Sequence, residues 1–387
     1  MRDNMKKVLL GTSAIALASA FATSANSAEW DVKVGGFMEQ HVAFASSDVD
    51  GLANTDFDGI DAKQDAEIIF KPTITLDNGL KIGADVQLEA NTNGDQIDES
   101  FLFIDGSFGR VQLGSENSAG YTMTFSAPDV SFVGVNSNSL GAFVPYSGTV
   151  GGLNVGDDLF RGTLGSTFLE NDLNNDAQRI TYFTPRFAGF QVGLSYARDA
   201  NQDSNDQIDC NNITCNYFDI GANYVNSFGP VDVAVSGRWG IGVNDAVGAE
   251  NPQVWATGLN IGFGGITVGG SFGEQNNSSN GLEDGIAYDA GISYETGPWG
   301  FSFTYFHGEN VDDEIGSGAT AAAFANDEET DFFLLAGTYD LAKGVKLQAF
   351  GAYVDFDEDT GDAGGPNAAN GDDVDGFIVG TGIKISF

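Results

Sequence analysis

The side chains with chemistry to offer in this chain are mostly carboxylates: 55 Asp and Glu stand against 16 Lys and Arg, a net charge of −39. Three groups are dense enough to chelate. Asp312, Asp313 and Glu314 form the first, Asp327, Glu328 and Glu329 the second, and Asp355, Asp357, Glu358 and Asp359 the third. Each offers the hard oxygen ligands that Ca²⁺ or Mg²⁺ takes. None follows the EF-hand spacing, and a generally acidic surface suited to high salt accounts for them equally. A fourth group, Glu116, Asp129, Asp157 and Asp158 with Arg161 as its lone base, falls within residues 115–176. With only His41 and His307 present, a His-rich metal site is not expected. No nucleophile elbow or zinc motif accompanies them, so the abundance of Ser and Asp makes a poor case for hydrolysis. Such acidity also argues against nucleic acid as a partner, which needs a basic face.

These groups must be positioned by strands. Leu80, Ile82, Ala84, Val86 and Leu88 alternate with Lys81, Gly83, Asp85, Gln87 and Glu89. Val231, Val233, Val235 and Trp239 stand against Asp232, Ser236 and Arg238, and near the end Phe377, Val379, Ile383, Ile385 and Phe387 stand against Gly380, Gly382, Lys384 and Ser386. One apolar and one polar face at period two is a half-covered strand, in a sandwich or a barrel alike. Blocks of this kind are expected at 30–45, 63–76, 80–89, 98–107, 109–114, 177–185, 190–198, 216–226, 231–241, 252–263, 266–274, 286–296, 299–309, 331–340, 345–355 and 375–387.

The connections separate the two architectures. Tight turns such as Asp77-Asn78-Gly79, Gly264-Gly265 and Gly297-Pro298 alternate with long, acidic, Gly- and Asn-rich loops. Short connections at one end and long ones at the other are the pattern of an all-β transmembrane antiparallel barrel of sixteen strands. The apolar stripe then faces lipid and the polar stripe a wet lumen. That lumen face is expected to be mostly Gly, Ser, Thr and short polar residues. Trp30, Tyr182, Tyr196, Tyr224, Tyr294, Trp299, Tyr305 and Phe387 are placed for interfacial belts, although each could serve as an ordinary core aromatic.

The first 28 residues read as a secretory signal: Arg2, Lys6 and Lys7, then an apolar run from Val8 to Phe21, then small residues where cleavage after Ala25, Ser27 or Ala28 is expected. No later run reaches the about 18 apolar residues of a spanning helix. Residues 29–387 read as a single barrel domain. In an exported chain Cys210 and Cys215, separated by residues 211–214, are expected to form a small-loop disulfide; a metal site would call for more Cys or His nearby.

Within residues 115–176 alternation stops, yet Tyr121, Phe125, Phe132, Phe143, Tyr146, Phe160 and Phe168 recur. A stretch this long and aromatic packs against something, and the expectation is that it folds into the barrel mouth as a constriction loop.

Several pieces resemble the general diffusion porins of Gram-negative bacteria, in particular the alphaproteobacterial type. The start Glu29-Trp30-Asp31-Val32-Lys33-Val34-Gly35-Gly36-Phe37 is similar to their first strand, and Phe108-Gly109-Arg110-Val111-Gln112-Leu113-Gly114 to their fifth. The segments running on from Arg179 and from Gly189 resemble the sixth and seventh, and the chain ends on Phe387 as such barrels do. The resemblance implies a homotrimer in the outer membrane, among lipid and lipopolysaccharide, whose third long loop folds inward. It also implies loop acids facing a basic wall across the constriction. Alternation points Lys33, Lys71, Lys81, Arg110 and Asp85 inward, and Arg179 is a further wall candidate, but Lys81 and Arg110 sit beside the short turns, low for such a role.

The long loops hold most of the acids and a single base, Arg161. The function expected is therefore an aqueous pore for small hydrophilic solutes and ions that prefers cations, requires no cofactor, and binds Ca²⁺ or Mg²⁺ at most on its acidic loops. The alternative is a structural or adhesive barrel whose acidic loops hold divalent cations or a surface partner.

Overall fold

Period-two alternation carries the chain into sixteen long strands, and their hydrogen bonding closes on itself. In the computed structural model the residues described are 29–49, 57–90, 96–136, 143–144, 148–150, 153–155, 166–168, 174–202, 208–211, 213–247, 249–276, 285–313, 325–358 and 374–387. The expected signal, residues 1–28, lies outside them.

The wall begins with β1 (Asp31–Val49), β2 (Phe57–Thr75), β3 (Lys81–Glu89), β4 (Ile97–Gly106) and β5 (Gly109–Ser115). An inner segment follows, containing a short helix α1 (Ala119–Met123) and a two-stranded sheet of β6 (Gly148–Val150) and β7 (Leu153–Val155). The wall resumes with β8 (Ala177–Phe183), β9 (Phe190–Gln202), β10 (Thr214–Phe228), β11 (Val231–Asn244), β12 (Gln253–Phe263) and β13 (Ile266–Asn276). It is completed by β14 (Gly285–Thr296), β15 (Trp299–Asp313), β16 (Ala325–Ala342), β17 (Val345–Glu358) and β18 (Val374–Ser386).

Each wall strand pairs antiparallel with its neighbours, β5 pairs with β8, and β18 returns to β1. Closure leaves no unpaired edge, which is what a membrane demands of a sheet. At the seam Gly36 N–H donates to Phe387 O (3.2 Å) and Phe387 N–H donates to Gly36 O (3.1 Å). Gly36 has φ +150°, and a Cβ there would lie 2.2 Å from the Glu67 carbonyl oxygen, so only glycine fits.

All sixteen expected strands are present, and several run further than alternation indicated. β2 starts at 57 rather than 63 and β16 at 325 rather than 331. Acids expected in loops therefore stand on strand ends: Asp312 and Asp313 on β15, Asp327, Glu328 and Glu329 on β16, and Asp355, Asp357 and Glu358 on β17. Glu314 and Asp359 fall outside the described residues. Inter-strand backbone pairing continued where alternation had already given way to charge. In the long inner stretch, α1 and the β6–β7 hairpin were not foreseen, being too short to establish a period.

The outer surface is apolar and exposed, as on Val34, Val42, Leu194, Leu259, Ile292 and Val379. At the turn end Trp299 packs on Tyr339 (ring centroids 4.6 Å) and Phe190 on Tyr224 (4.5 Å). Toward the loop end Tyr305 meets Phe333 (4.8 Å) and Trp255 meets Phe272 (5.2 Å). Two aromatic zones separated along the strands fit the two interfaces of a bilayer.

The inner surface departs from expectation. Over β15–β18 it is not short and polar: Phe306, Phe332, Leu334, Val354, Phe356 and Ile378 point inward and are fully buried. They form one cluster with Val133, Val135, Phe143 and Val144 of the inner segment. The reason is that this sector faces protein rather than water.

Ile292 tests the lipid face. It sits mid-strand between Val268 and Phe303, both exposed. Ile292→Arg should cost about 2–4 kcal/mol, as a cation does near the bilayer midplane, while Ile292→Leu should be near neutral. Reversible unfolding from phospholipid vesicles measures both.

Candidate functional site

The inner segment leaves β5 and turns at once into α1, where Ser118 Oγ accepts the Tyr121 N–H (3.2 Å). From there irregular backbone crosses the inside of the barrel, and strand after strand of the wall, β9–β12, β14, β15 and β17, supplies a partner. Ser195 Oγ on β9 accepts the Ala119 N–H (2.7 Å), and Asp219 on β10 accepts the Gly120 N–H. Asn223 Nδ2 donates to Met123 O (3.3 Å), Ser236 Oγ on β11 accepts the Phe125 N–H (2.9 Å), and Asn260 Nδ2 on β12 donates to Ser126 O (3.0 Å). Asp289 on β14 accepts the Ala127 N–H (3.0 Å) and the Asn136 side-chain amide (2.6 Å). On β15 Ser302 Oγ accepts the Val130 N–H (3.2 Å) and donates to Asp129 Oδ1 (2.6 Å); on β17 Gln348 Oε1 accepts the Phe132 N–H (2.9 Å). An unpaired buried amide costs about 1–3 kcal/mol, so this ladder holds the segment against the wall. The approach is close: a Cβ at Gly258 would lie 1.9 Å from the Phe125 carbonyl oxygen.

One ion pair anchors the start. Arg238 on β11 is buried, donates to Asp219 (2.6 Å) and reaches Ser118 Oγ (3.3 Å). It thereby holds the carboxylate that takes the Gly120 N–H and the serine that caps α1.

At the far side of this crossing a cavity of about 420 Å³ opens between Asp129, Val130, Ser131 and Phe132 of the segment and Glu295, Asp340, Lys346 and Lys384 of the wall. Lys384 binds Glu39, and Lys346 lies 3.6 Å from Asp340. A segment acid and wall bases thus line one cavity, and Asp129 Oδ2 is buried without a hydrogen-bond partner.

Asp129 is the expected residue in that arrangement; the bases opposite it are Lys346 and Lys384, not those anticipated. Lys33 pairs with Asp31 (3.5 Å) in the open. Lys71 binds Asp85 (2.5 Å), and Arg110 forks onto Asp105 (2.6 and 2.8 Å). Lys81 lies over the Phe103 ring (6.0 Å). Lys81 opens β3 and Arg110 stands at the start of β5, each just past a short turn. Arg179 is buried and donates to the carbonyls of Ala177 and Asn174. Glu116 stands at the root of the segment near Arg179. Burial pushes its carboxyl up to about 7, against the pull of the Asn117 N–H and Arg179, and nearby Asp85 and Asp98 add to the push. Asp157, Asp158 and Arg161 lie outside the described residues. Cys210 and Cys215 are joined, with Cα atoms 5.8 Å apart.

The residues that seat the segment were missed by sequence reasoning. Their one signal is a polar side chain on the inward parity of strand after strand; its height along the barrel is not written in the sequence.

A family model described as Gram-negative porin matches residues 11–359. The chain belongs to that family. Its place is the outer membrane, as for the outer membrane porin protein of Bordetella pertussis, 27% identical across 99% of this chain and 100% of that relative. An uncharacterized protein of Rickettsia conorii is 30% identical over 54% of this chain and 52% of its own length. The porin thus spans about half the length of the Rickettsia relatives it matches. Among solved structures, the anion-selective porin from Comamonas acidovorans superposes with a TM-score of 0.57 at 18% identity, covering 93% of this porin and 100% of that chain. At that identity the likeness concerns the fold.

The ion pair gives a direct test of the seat. Arg238→Met leaves Asp219 buried and uncompensated, which should cost about 3–5 kcal/mol. The expected result is a folded barrel whose inner segment is clipped by protease in detergent while the wild-type segment resists. Mass spectrometry of the fragments locates the cut.

Proposed function

We propose that this porin forms a water-filled channel for passive diffusion of small hydrophilic solutes and ions, with a preference for cations. One observation carries the preference. The described bases on the inner wall are already engaged: Lys71 by Asp85, Arg110 by Asp105, Arg238 by Asp219 and Lys384 by Glu39. Among the described residues the carboxylates Glu67, Glu99, Glu116 and Asp176 outnumber the bases that bear on them, Arg179 and Arg110. A wall of one residual sign concentrates counter-ions. The Comamonas acidovorans protein is named anion-selective, but a shared fold does not transfer wall charge.

Acids facing acids at the strand ends, Glu329 opposite Asp357 and Asp355 opposite Asp375, support loosely held Ca²⁺ or Mg²⁺ there, since like charges directly opposite are destabilising. Membership of the family supports a homotrimer set among lipid and lipopolysaccharide and a role without catalysis. The histidines suit that reading: His41 contacts Glu39 (3.2 Å) and Gln348 (3.1 Å), and His307 contacts Asp331 (3.1 Å). A second reading, a structural or adhesive barrel, draws support from the apolar inner sector, which fills part of the lumen.

Planar bilayers under a KCl gradient, with chelator present, separate these readings. Reversal potentials should show potassium passing more readily than chloride in dilute salt. The preference should fade toward molar salt as the screening length falls from about 10 Å to about 3 Å. Anion preference in dilute salt would end the cation reading, and silent bilayers would favour the structural one.

A further inference from the structure

Beneath Phe132 of the inner segment the wall presents a connected row of polar side chains. Lys384 of β18 binds Glu39 of β1, and Glu39 Oε2 lies 3.2 Å from Nε2 of His41. Nδ1 of the same ring lies 3.1 Å from Nε2 of Gln348 on β17. The Gln348 Oε1 atom accepts the Phe132 N–H (2.9 Å), so the row ends on the backbone of the segment. Glu39 and His41 are each 4% exposed and Gln348 is 3% exposed, which leaves water little access to replace a lost partner.

The proton positions in this row follow from one another. A backbone N–H can only donate, so the Gln348 atom facing Phe132 is the carbonyl oxygen and the atom facing His41 is the amide nitrogen. That nitrogen also donates, so His41 Nδ1 carries no proton. The ring is therefore neutral, with its proton on Nε2 and directed at the Glu39 carboxylate.

A second proton on His41 breaks the row at one place. Nδ1 becomes a donor and meets the Gln348 amide donor to donor. Turning that amide over gives His41 an oxygen, but it sets the Gln348 NH₂ group against the Phe132 N–H. Either way a buried donor loses its acceptor, which is costly. Gly382 of β18 stands in register with both His41 and Gln348 and has no side chain to offer instead. A Cβ there would lie 2.6 Å from His41 Nδ1.

The charges around the ring come from every element packed on it. Glu39 and, opposite it on β2, Asp65 favour the imidazolium, whereas Lys384 and Lys63, the latter directly across from His41, oppose it. Lys63 is held by Asp61 (2.6 Å) and Lys384 by Glu39, so the added proton meets paired cations rather than bare ones. From β17 Lys346 stands near Asp340 (3.6 Å), and the segment brings Asp129 to the cavity that Lys384 also lines.

We propose that His41 is a positioning residue for the inner segment: its neutral form holds Gln348 in the orientation that seats Phe132, and protonation of the ring unseats the segment there. Any effect on permeation rests on the channel reading given above, whereas the seating itself does not.

The test uses the full barrel in detergent. The chain has two histidines, so labelling histidine with heavy nitrogen gives two imidazole spectra, and His307→Gln assigns the remaining one to His41. At about pH 8 that spectrum should show a bare Nδ1 and a protonated Nε2. Hydrogen exchange at Phe132, read by mass spectrometry and corrected for the intrinsic rate, should quicken at least about tenfold between about pH 8 and about pH 5. His307→Gln should keep that response and His41→Phe should lose it. Gln348→Glu should lose it too, because a carboxylate offers one oxygen to the imidazolium and another to the Phe132 N–H. Far-UV circular dichroism checks folding, and should the inner variants not fold, the wild-type spectrum and exchange decide. A proton on Nδ1 at about pH 8, exchange at Phe132 indifferent to pH, or an undiminished response in Gln348→Glu would each overturn the proposal. None of these readouts involves conduction, so silent bilayers would end the channel reading and leave this one standing.

Discussion

An irregular segment laid inside a membrane barrel must find a partner for each backbone amide it buries, because it has no regular structure of its own to supply one. Non-helical backbone at membrane depth is tolerated only where protein or a wet cavity surrounds it. Here the wall meets that demand strand by strand, from Ser195 through Asp219, Ser236 and Asp289 to Ser302 and Gln348. The presence of inward polar residues such as these on β9–β12, β14, β15 and β17 follows largely from this duty. So does the absence of a side chain at Gly258, where the segment lies nearest the wall.

The wall holds the segment by two kinds of force in two sectors. Over β9–β12 and β14 the contacts are hydrogen bonds, each modest in net worth but costly to lose. Over β15–β18, Ser302 and Gln348 apart, they are apolar, with Val133, Val135, Phe143 and Val144 covering Phe306, Phe332, Phe350 and Ile378. Burying such a side chain contributes about 1.5–3 kcal/mol. The directional contacts set the path of the segment, and the apolar contacts supply much of its adhesion. The barrel therefore has a core after all, placed off-centre between loop and wall.

That division shapes the electrostatics of the passage. Bases on the wall are drawn into local pairs, while Glu99, Glu116 and Asp176 gather at the root of the segment, where burial pushes the Glu116 carboxyl up. Asp129, Lys346 and Lys384 line one cavity, a place where a segment acid and wall bases come together. Two barrels can share a sixteen-stranded wall and differ in sign, because the strands need only alternation while selectivity depends on a few inward positions.

The number of strands, their order and the alternation of short turns with long loops are local properties, legible from period-two patterning and turn residues such as Gly264-Gly265. The inward course of residues 118–136, the described run within the stretch 115–176 that crosses the wall, was legible too, as aromatics without periodicity. The apolar inner sector left a trace in the unbroken run Phe332-Phe333-Leu334-Leu335, apolar on both faces. What the sequence could not assign was the partner of each inward residue. Lys71 and Asp85, or Glu99, Glu116 and Asp176, are brought together by strand register and by the return of a long loop. Those depend on pairing over tens of residues, and no local pattern encodes the height at which two inward side chains meet. Period two decides which way a side chain points; only the closed barrel decides what it points at.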